Sequence, residues 1–445
     1  MSMTNEQLRQ LLIEGTPEQI QDAIDNIHPA DILDIINNSE EDLNIILPKL
    51  PNDVIASIIE EEEDEDKYDL LEPFLKERQK AILEEMSDDE IADLIGELED
   101  EKQIKEVLDN LDSENQDNVK QLLSYEPDTA GGLMSTEFIS IHSNNTVLET
   151  LWYLQKYAEQ DAKYYLYVVD KSKVLKGVIA LRDIVTSSFG TKIIDITNPN
   201  VKTLFYKDDQ EEVANRFIKY GFVMMPVVDE ENHLIGVVEV DDVMDVMEDE
   251  TTEDINLLAG VSGEERVDST VFESFKSRTP WLIVNLFTAV MAAAVVNQFS
   301  ATIAKVVSLS AIMSIVTGMG GNAGTQSLTI LVRGLSLGEI DHSNAFKIFC
   351  KEIMVGVLTG VIIGVIVAIG SMFFAGNPYF GLVAGLAMLL NMVAANLAGF
   401  IVPVILRKMN IDPALASGVF VTTVTDCLGF FFFLGLATLF LPLLR

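Results

Sequence analysis

Asp426 is the only charged residue between Pro413 and Leu444, and it sits within the stretch VTTVTDCLGFFFF at positions 421–433. A helix rising about 1.5 Å per residue puts it roughly 20 Å beyond Pro413, well inside a hydrocarbon layer about 30 Å thick. A carboxylate there costs on the order of 2.5–3.5 kcal/mol on insertion scales, so it must face protein, water or an ion. Thr422 lies one turn earlier, and Thr423 and Thr425 are close by. Hydroxyls around a carboxylate make an all-oxygen environment, suited to a hard cation or its hydration shell. A protonated acid bonded to a neighbouring helix is the alternative. Proton relays string several acids or histidines together, and this span has one acid, which favours an ion site.

A second acidic group lies at positions 242–254, DVMDVMEDETTED, where seven of thirteen residues are acidic. Asp242, Asp245 and Asp249 repeat at three- and four-residue steps and so share one helix face. Like charges at that spacing destabilise a helix by about 0.2–0.5 kcal/mol per pair. A divalent ion would offset the repulsion. The run at positions 60–66, EEEEDED, reads as a solvated surface that adds to the field.

These acids sit on an uneven chain. Positions 1–275 hold 21 of the 30 Lys and Arg and 65 of the 70 Asp and Glu, giving a charge near −44 against +4 for the remainder. An acidic half of this strength repels nucleic acid and anionic lipid and attracts cations or basic partners. No nucleic-acid partner is expected, and no catalytic cluster is present, so the chain does not read as an enzyme. Cys350 and Cys427 form neither a metal-ligand pattern nor a disulfide pattern and read as packing residues. No charged-apolar-small leader opens the chain, so the amino terminus is expected in the cytoplasm.

Uncharged runs cover 279–304, 306–332, 353–406 and, apart from Asp426, 413–444. The third is too long for one span, and its Ala-Gly-Asn-Pro turn at 375–378 divides it, so five transmembrane helices are expected. Lys276 and Arg278 precede the first span, Arg333, Lys347 and Lys351 lie between the second and third, and Arg407 and Lys408 lie between the fourth and fifth. The positive-inside rule then puts the amino terminus inside and the carboxyl terminus outside. Gly320 and Gly324, and Gly356, Gly360 and Gly364, are spaced for close helix packing. The segment GMGGNAGTQ at 318–326 goes further: its glycines beside Asn322 and Gln326 could loosen a helix and expose carbonyls to a wet cavity.

In the acidic half, positions 167–185 align with 226–244 at a shift of 59 residues, with 7 of 19 identical, an internal duplication. Each copy reads strand, turn, strand, helix start, after a helical stretch at 146–159 or 210–220. This resembles a pair of CBS modules, which stack about a pseudo-twofold axis and often bind adenine nucleotides. That resemblance implies Gly-x-x-Ser/Thr-x-x-Asp at nucleotide sites. The matching positions are Gly177, Ala180 and Asp183, then Gly236, Glu239 and Asp242. Neither copy has the hydroxyl, so the pair reads as a dimerisation module, with Asp183 left as the candidate nucleotide contact. Positions 1–125 read as short amphipathic helices at 30–36, 51–59, 69–86 and 88–98, a small helical solenoid.

Taken together, the whole chain resembles the MgtE family of magnesium channels. The matching motifs are HPAD at 28–31, MSDDEIAD at 86–93, YEPDTAGGLM at 125–134, GGNAGTQ at 320–326, and DPAL at 412–415 followed by Thr425-Asp426. The resemblance implies a homodimer in which the second and fifth spans line a central pore, with hydrated Mg²⁺ at Asp426 and with Asn322, Gln326, Thr422 and Thr425 along its wall. It implies a plug helix between the CBS pair and the first span, and closure when cytosolic Mg²⁺ binds between acidic surfaces. The implied carriers are Asp89, Asp93, Asp209, Asp242, Asp245, Glu250, Glu253 and Asp254, with Asp412 at the inner mouth; Gly221 replaces one family acid.

The expected fold is a multidomain membrane protein. An acidic, all-α superhelical domain (1–130) precedes α/β CBS modules at 131–196 and 197–249, a connecting plug helix at 250–275 and a five-helix transmembrane domain at 276–445. The expected function is a magnesium-selective channel in the cell membrane, gated by cytosolic magnesium. The alternatives are a membrane-tethered CBS sensor that conducts nothing, or a transporter of another divalent cation; oxygen-only chemistry disfavours soft metals.

Overall fold

The computed structural model describes residues 4–444 apart from 25–26, 38–39, 63, 99, 158–164, 262–264, 266, 268, 341–342, 410 and 417. The chain divides into two compact units, Met1–Val246 and Met247–Arg445.

The first unit begins with short helices whose apolar residues recur three and four apart. Pro29–Asn37 buries Ile32, Leu33, Ile35 and Ile36, and Asn52–Glu60 buries Ile55, Ala56, Ile58 and Ile59. The helix expected over 69–86 is instead two, Asp64–Leu71 and Lys76–Leu83. Pro73 lies at the break; it has no N–H and disfavours helical geometry in the residue before it. Gln79 covers the exposed carbonyls, its Nε2 donating to Leu71 O at 3.2 Å and Glu72 O at 3.4 Å. Helix α1 (Asp88–Gly96) follows, with Asp88, Asp89 and Glu90 in its first turn, where the helix dipole favours negative charge.

The duplication folds twice. In the first copy β1 (Ser140–His142) leads through α2 (Val147–Tyr157) to β2 (Tyr165–Val169), β3 (Leu175–Ala180) and α3 (Leu181–Thr186). In the second, β4 (Leu204–Phe205) leads through α4 (Gln210–Tyr220) to β5 (Met224–Val228), β6 (Leu234–Glu239) and α5 (Val240–Ala259). Ala158 and Glu159, the end of the helix expected at 146–159, lie outside the described residues. Each sheet has three strands, a parallel pair and then an antiparallel pair, and the same bulge falls at Val168/Val169 and Val227/Val228. The equivalent turn residues Lys173 and Asn232 both take positive φ. Asp170 and Asp229 tie those turns identically, each Oδ1 accepting from the N–H groups two and four residues on. The two copies meet there, Leu175 N–H donating to Asn232 O and Leu234 N–H to Lys173 O, both at 3.0 Å.

The equivalent glycines of the two copies, Gly177 and Gly236, are explained by chain crossings. A Cβ on Gly177 would lie 2.3 Å from Asn198 O, and one on Gly236 would lie 2.5 Å from Met134 Sδ and 2.9 Å from Ser135 O. Segments 198 and 135 bridge β3 and β6 there, so each copy is strapped by the chain that leads into the other. Gly221 caps α4 at φ 63°, ψ 36°, a left-handed geometry that glycine takes without strain.

The connecting segment differs from a single helix over 250–275. Helix α5 starts directly after β6, ten residues earlier, and stops at Ala259 because Gly260 turns the chain at φ 78°. Helix α6 (Val271–Gln298) then begins with a capping box, Thr270 N–H donating to Glu273 Oε2 at 2.8 Å and Glu273 N–H to Thr270 Oγ1 at 3.4 Å. It is followed by α7 (Leu309–Ser336), α8 (Ala345–Ala375), α9 (Pro378–Lys408) and α10 (Gly418–Leu439). Helices α6, α8, α9 and α10 are long and apolar enough to cross a bilayer. Helix α7 has the length, 28 residues, or about 42 Å. Glycine, serine, threonine, asparagine and glutamine dilute its apolar character, and it packs against α9 and α10.

These crossings set an expected pair of outcomes. Gly236→Ala must displace Met134 and the Ser135 backbone and is expected to cost about 1–3 kcal/mol. Gly96→Ala, in α1 with open space around it, is expected to stabilise by about 0.5–1 kcal/mol. Thermal unfolding of the detergent-solubilised chain, which should lower and raise Tm respectively, checks both.

Candidate functional site

Helix α7 runs unbroken through Gly318–Gln326, so the expected loosening is not observed. Its glycines serve packing. Gly320, Gly321 and Gly324 lie on the buried side, and a Cβ on Gly324 would meet Val421 Cγ1 at 2.5 Å. Asn322 and Gln326, one turn apart, fall on the opposite face and are exposed. On α10 the ridge Val421, Thr425, Gly429, Phe433 and Ala437 is buried. Thr425 therefore faces the bundle interior, its Oγ1 donating to Thr422 O at 3.0 Å. Thr422, half-buried, donates to Val419 O at 3.1 Å. Both hydroxyls are held by their own helix, where a threonine ordinarily puts its proton. Asp426 is half-buried, and its carboxylate makes no hydrogen bond or ion pair among the described residues.

Near the inner end of this unit, Asp254 on α5 lies close to Ser336, whose Oγ donates to its Oδ2 at 3.5 Å, and to Asp412. Burial, and then the Asp412 charge, raises the Asp254 carboxyl above its ordinary value. Asp412 itself caps the short turn Pro413–Ala416, Ala414 N–H donating to its Oδ1 at 2.8 Å.

In the first unit, α1 meets the start of α5. Burial, with the charges of Asp89, Asp241 and Glu90 adding to it, pushes the Asp242 carboxyl up to about 8. Its Oδ2 accepts from Glu239 N–H at 3.2 Å, and Ser135 Oγ donates to Asp89 Oδ1 at 3.1 Å. Beside them Asp88 is buried, bonded on Oδ2 by Asn118 at 2.7 Å and Thr136 at 3.4 Å, while its Oδ1 has no partner among the described residues. Burial raises its pKa also. Glu90 is pushed up to about 7 because burial outweighs the ammonium of buried Lys67, 2.5 Å away.

The other expected carriers differ in exposure and in local role. Asp93 is exposed on α1, and Asp245 and Glu253 are exposed on α5, with Glu250 half-buried. Asp209 caps α4, accepting from Glu211 N–H at 3.0 Å. Among the described residues no three His, Cys, Asp or Glu side chains gather to hold a metal ion directly. Asp89 with Asp242, and Asp254 with Asp412, are instead pairs. Pairs fit a hydrated Mg²⁺, which keeps several waters and takes one or two carboxylates rather than a protein cage. Asp183, in the first turn of α3, pairs with Arg182 Nε at 3.7 Å.

Sequence reasoning passed over Asp88, Glu90 and Lys67, whose burial depends on partners 20 to 50 residues away. It also passed over Glu352, buried in α8 and accepting from Ser327 Oγ at 2.8 Å, and Asn391, fully buried in α9. Asn391 and Asn396 carry a weaker form of the Asp426 signal, uncharged polar residues in an apolar run.

A carboxyl held above its ordinary value binds more protons folded than unfolded, so its contribution to stability falls as pH rises from about 4 to about 8. With divalent ions chelated, Tm of the cytosolic half is expected to drop between about pH 5 and about pH 8, and Asp242→Asn to flatten that slope. Melting curves across this range in chelator, with and without added Mg²⁺, check it.

Comparison with known proteins places the chain in a family. Residues 313–436 match the MgtE family, described as a divalent cation transporter, residues 27–128 match the MgtE intracellular N domain, and 130–190 and 193–249 match CBS domains. The magnesium transporter MgtE of Thermus thermophilus is 34% identical over 440 residues, 98% of each chain, and that of Enterococcus faecalis is 38% identical over 330 residues, covering 74% of this chain and 73% of the relative. The crystal structure of the cytosolic domain of the Mg²⁺ channel MgtE in complex with ATP is 36% identical, with TM-score 0.52, covering 55% of this chain and all of that one. The chain is a member of the MgtE family of cation transporters.

Proposed function

We propose that this protein is a magnesium-selective channel of the cell membrane, a homodimer whose acidic domains lie in the cytoplasm and close the pore when cytosolic Mg²⁺ is high. The observation that carries the reading is Asp426: a half-buried carboxylate in the middle of a membrane helix, with no hydrogen bond or ion pair among the described residues. A charge placed there is tolerated when a cation or water faces it. Asn322 and Gln326 support the dimer, because both amides point away from their own bundle. Polar groups on that face call for a wet lumen or a second copy rather than lipid.

Closure follows from charge. Asp242 beside Asp89, and Asp254 beside Asp412, are held above the ordinary carboxylate range when ion-free, so drawing the acids together costs either a retained proton or the repulsion of two charges. Two such charges about 4 Å apart repel by roughly 1–4 kcal/mol between water and a near-surface dielectric. Mg²⁺ reverses the sign and favours the arrangement in which the acids are close. Binding of an adenine nucleotide at the CBS pair is a second reading, supported by the ATP complex of the similar cytosolic domain. Its test is calorimetric titration of the chain with ATP, alongside Asp183→Ala.

In liposomes under an imposed Mg²⁺ gradient, Asp426→Ala should abolish flux with insertion intact, and Asp426→Asn should fail nearly as badly, since it keeps size and loses charge. Wild-type flux through either would remove the pore assignment. A chain beginning at Ser269 retains the α6 capping box and should conduct without inhibition by Mg²⁺. Silence from that folded chain would contradict the division between a conducting half and a sensing half.

A further inference from the structure

Asn391 lies at the crossing of three membrane helices, with none of its surface exposed. From α9 its Nδ2 donates to the Val316 carbonyl of α7 at 2.8 Å. A Cβ on Gly320 of α7 would lie 2.1 Å from that nitrogen, and one on Gly429 of α10 would lie 2.8 Å from it and 3.1 Å from Cγ. The amide thus fills a notch made by one missing side chain on each of the two helices that carry Asn322, Gln326 and Asp426. Its Oδ1 is buried without a hydrogen-bond partner among the described residues. A buried orphan acceptor is costly, and an apolar side chain of similar volume would fill the space without one. Gap-filling alone therefore does not account for an asparagine here.

We infer that Asn391 is a positioning residue: wedged between Gly320 and Gly429 and bonded to Val316, it sets the separation of α7 and α10 and through it the ion selectivity of the pore. Gly429 is three residues from Asp426 and Gly320 two from Asn322, so the wedge acts within about one helical turn of both. Mg²⁺ is smaller than Ca²⁺ and gives up its waters reluctantly. A carboxylate reading a hydrated ion discriminates by the width in which that shell must fit. The inference rests on the pore assignment to Asp426.

The test is the Mg²⁺ over Ca²⁺ permeability ratio of the full-length protein in planar bilayers or liposomes. Asn391→Ala is expected to change the ratio by about fivefold or more, and Asn391→Leu, which preserves bulk, by less. Adding Gly429→Ala to Asn391→Ala puts a methyl into the vacated notch and should move the ratio back toward wild type, while Gly429→Ala alone should disturb it. Should Asn391→Ala not reconstitute, Gly429→Ala is read in its place. A wild-type ratio with fewer conducting proteins, in either variant, would mean that the residue only supports folding and would overturn the inference. Asp426→Ala in the same assay separates the two claims: if it conducts normally the pore assignment fails, and if it is silent while Asn391→Ala keeps the wild-type ratio, this inference alone fails.

Discussion

A carboxylate withdrawn from water without a cation beside it is expensive, and this chain does it repeatedly. Asp242 is pushed up to about 8 mainly by burial, and among the described residues Asp88 holds an oxygen with no partner and Asp426 stands in a membrane helix without an ion pair. Lys67 beside Glu90 and Arg278 beside Glu265 show the ordinary remedy. At Asp89 with Asp242, and at Asp254 with Asp412, the neighbouring group is a second acid. A stable fold tolerates such pairs when a mobile cation supplies the missing charge, and the same electrostatic constraint acts on the membrane carboxylate and on the acids of the first unit.

Close helix packing makes that constraint usable. Gly320 and Gly324 on α7, Gly399 on α9 and Gly429 on α10 let backbones approach where side chains would collide. On α8, Gly356, Gly360 and Gly364 press against Val393, Leu389 and Gly385 of α9. In lipid, helix association relies on such contact rather than on apolar burial. Turning the small residues inward leaves the amides of Asn322 and Gln326 on the outer face of α7. In the first unit, crossings at Gly177 and Gly236 lock the two CBS copies, and Gly131, whose N–H donates to Tyr206 O at 2.9 Å, seats the end of the helical domain on the second copy.

Composition and periodicity alone determined the acidic and membrane halves, the duplication, the amphipathic helices and the isolation of Asp426, because each is a property of local pattern or of charge counted along the chain. Local pattern also misled. It ran one helix through Pro73 and allowed the segment 318–326 to loosen α7, which runs unbroken there. The family resemblance implied one helix over 250–275, whereas Gly260 ends α5 and Thr270 with Glu273 starts α6 anew. Only the tertiary structure decided which acids meet. Asp89 and Asp242 are 153 positions apart, and Asp254 and Asp412 are 158 apart, while Asp93, Asp245 and Glu253 of the same acidic stretches stay exposed. The burial of Thr425 and Asn391 was hidden for the same reason. A side chain's burial depends on which helix lies against it, and that is settled by three-dimensional packing between segments far apart in sequence.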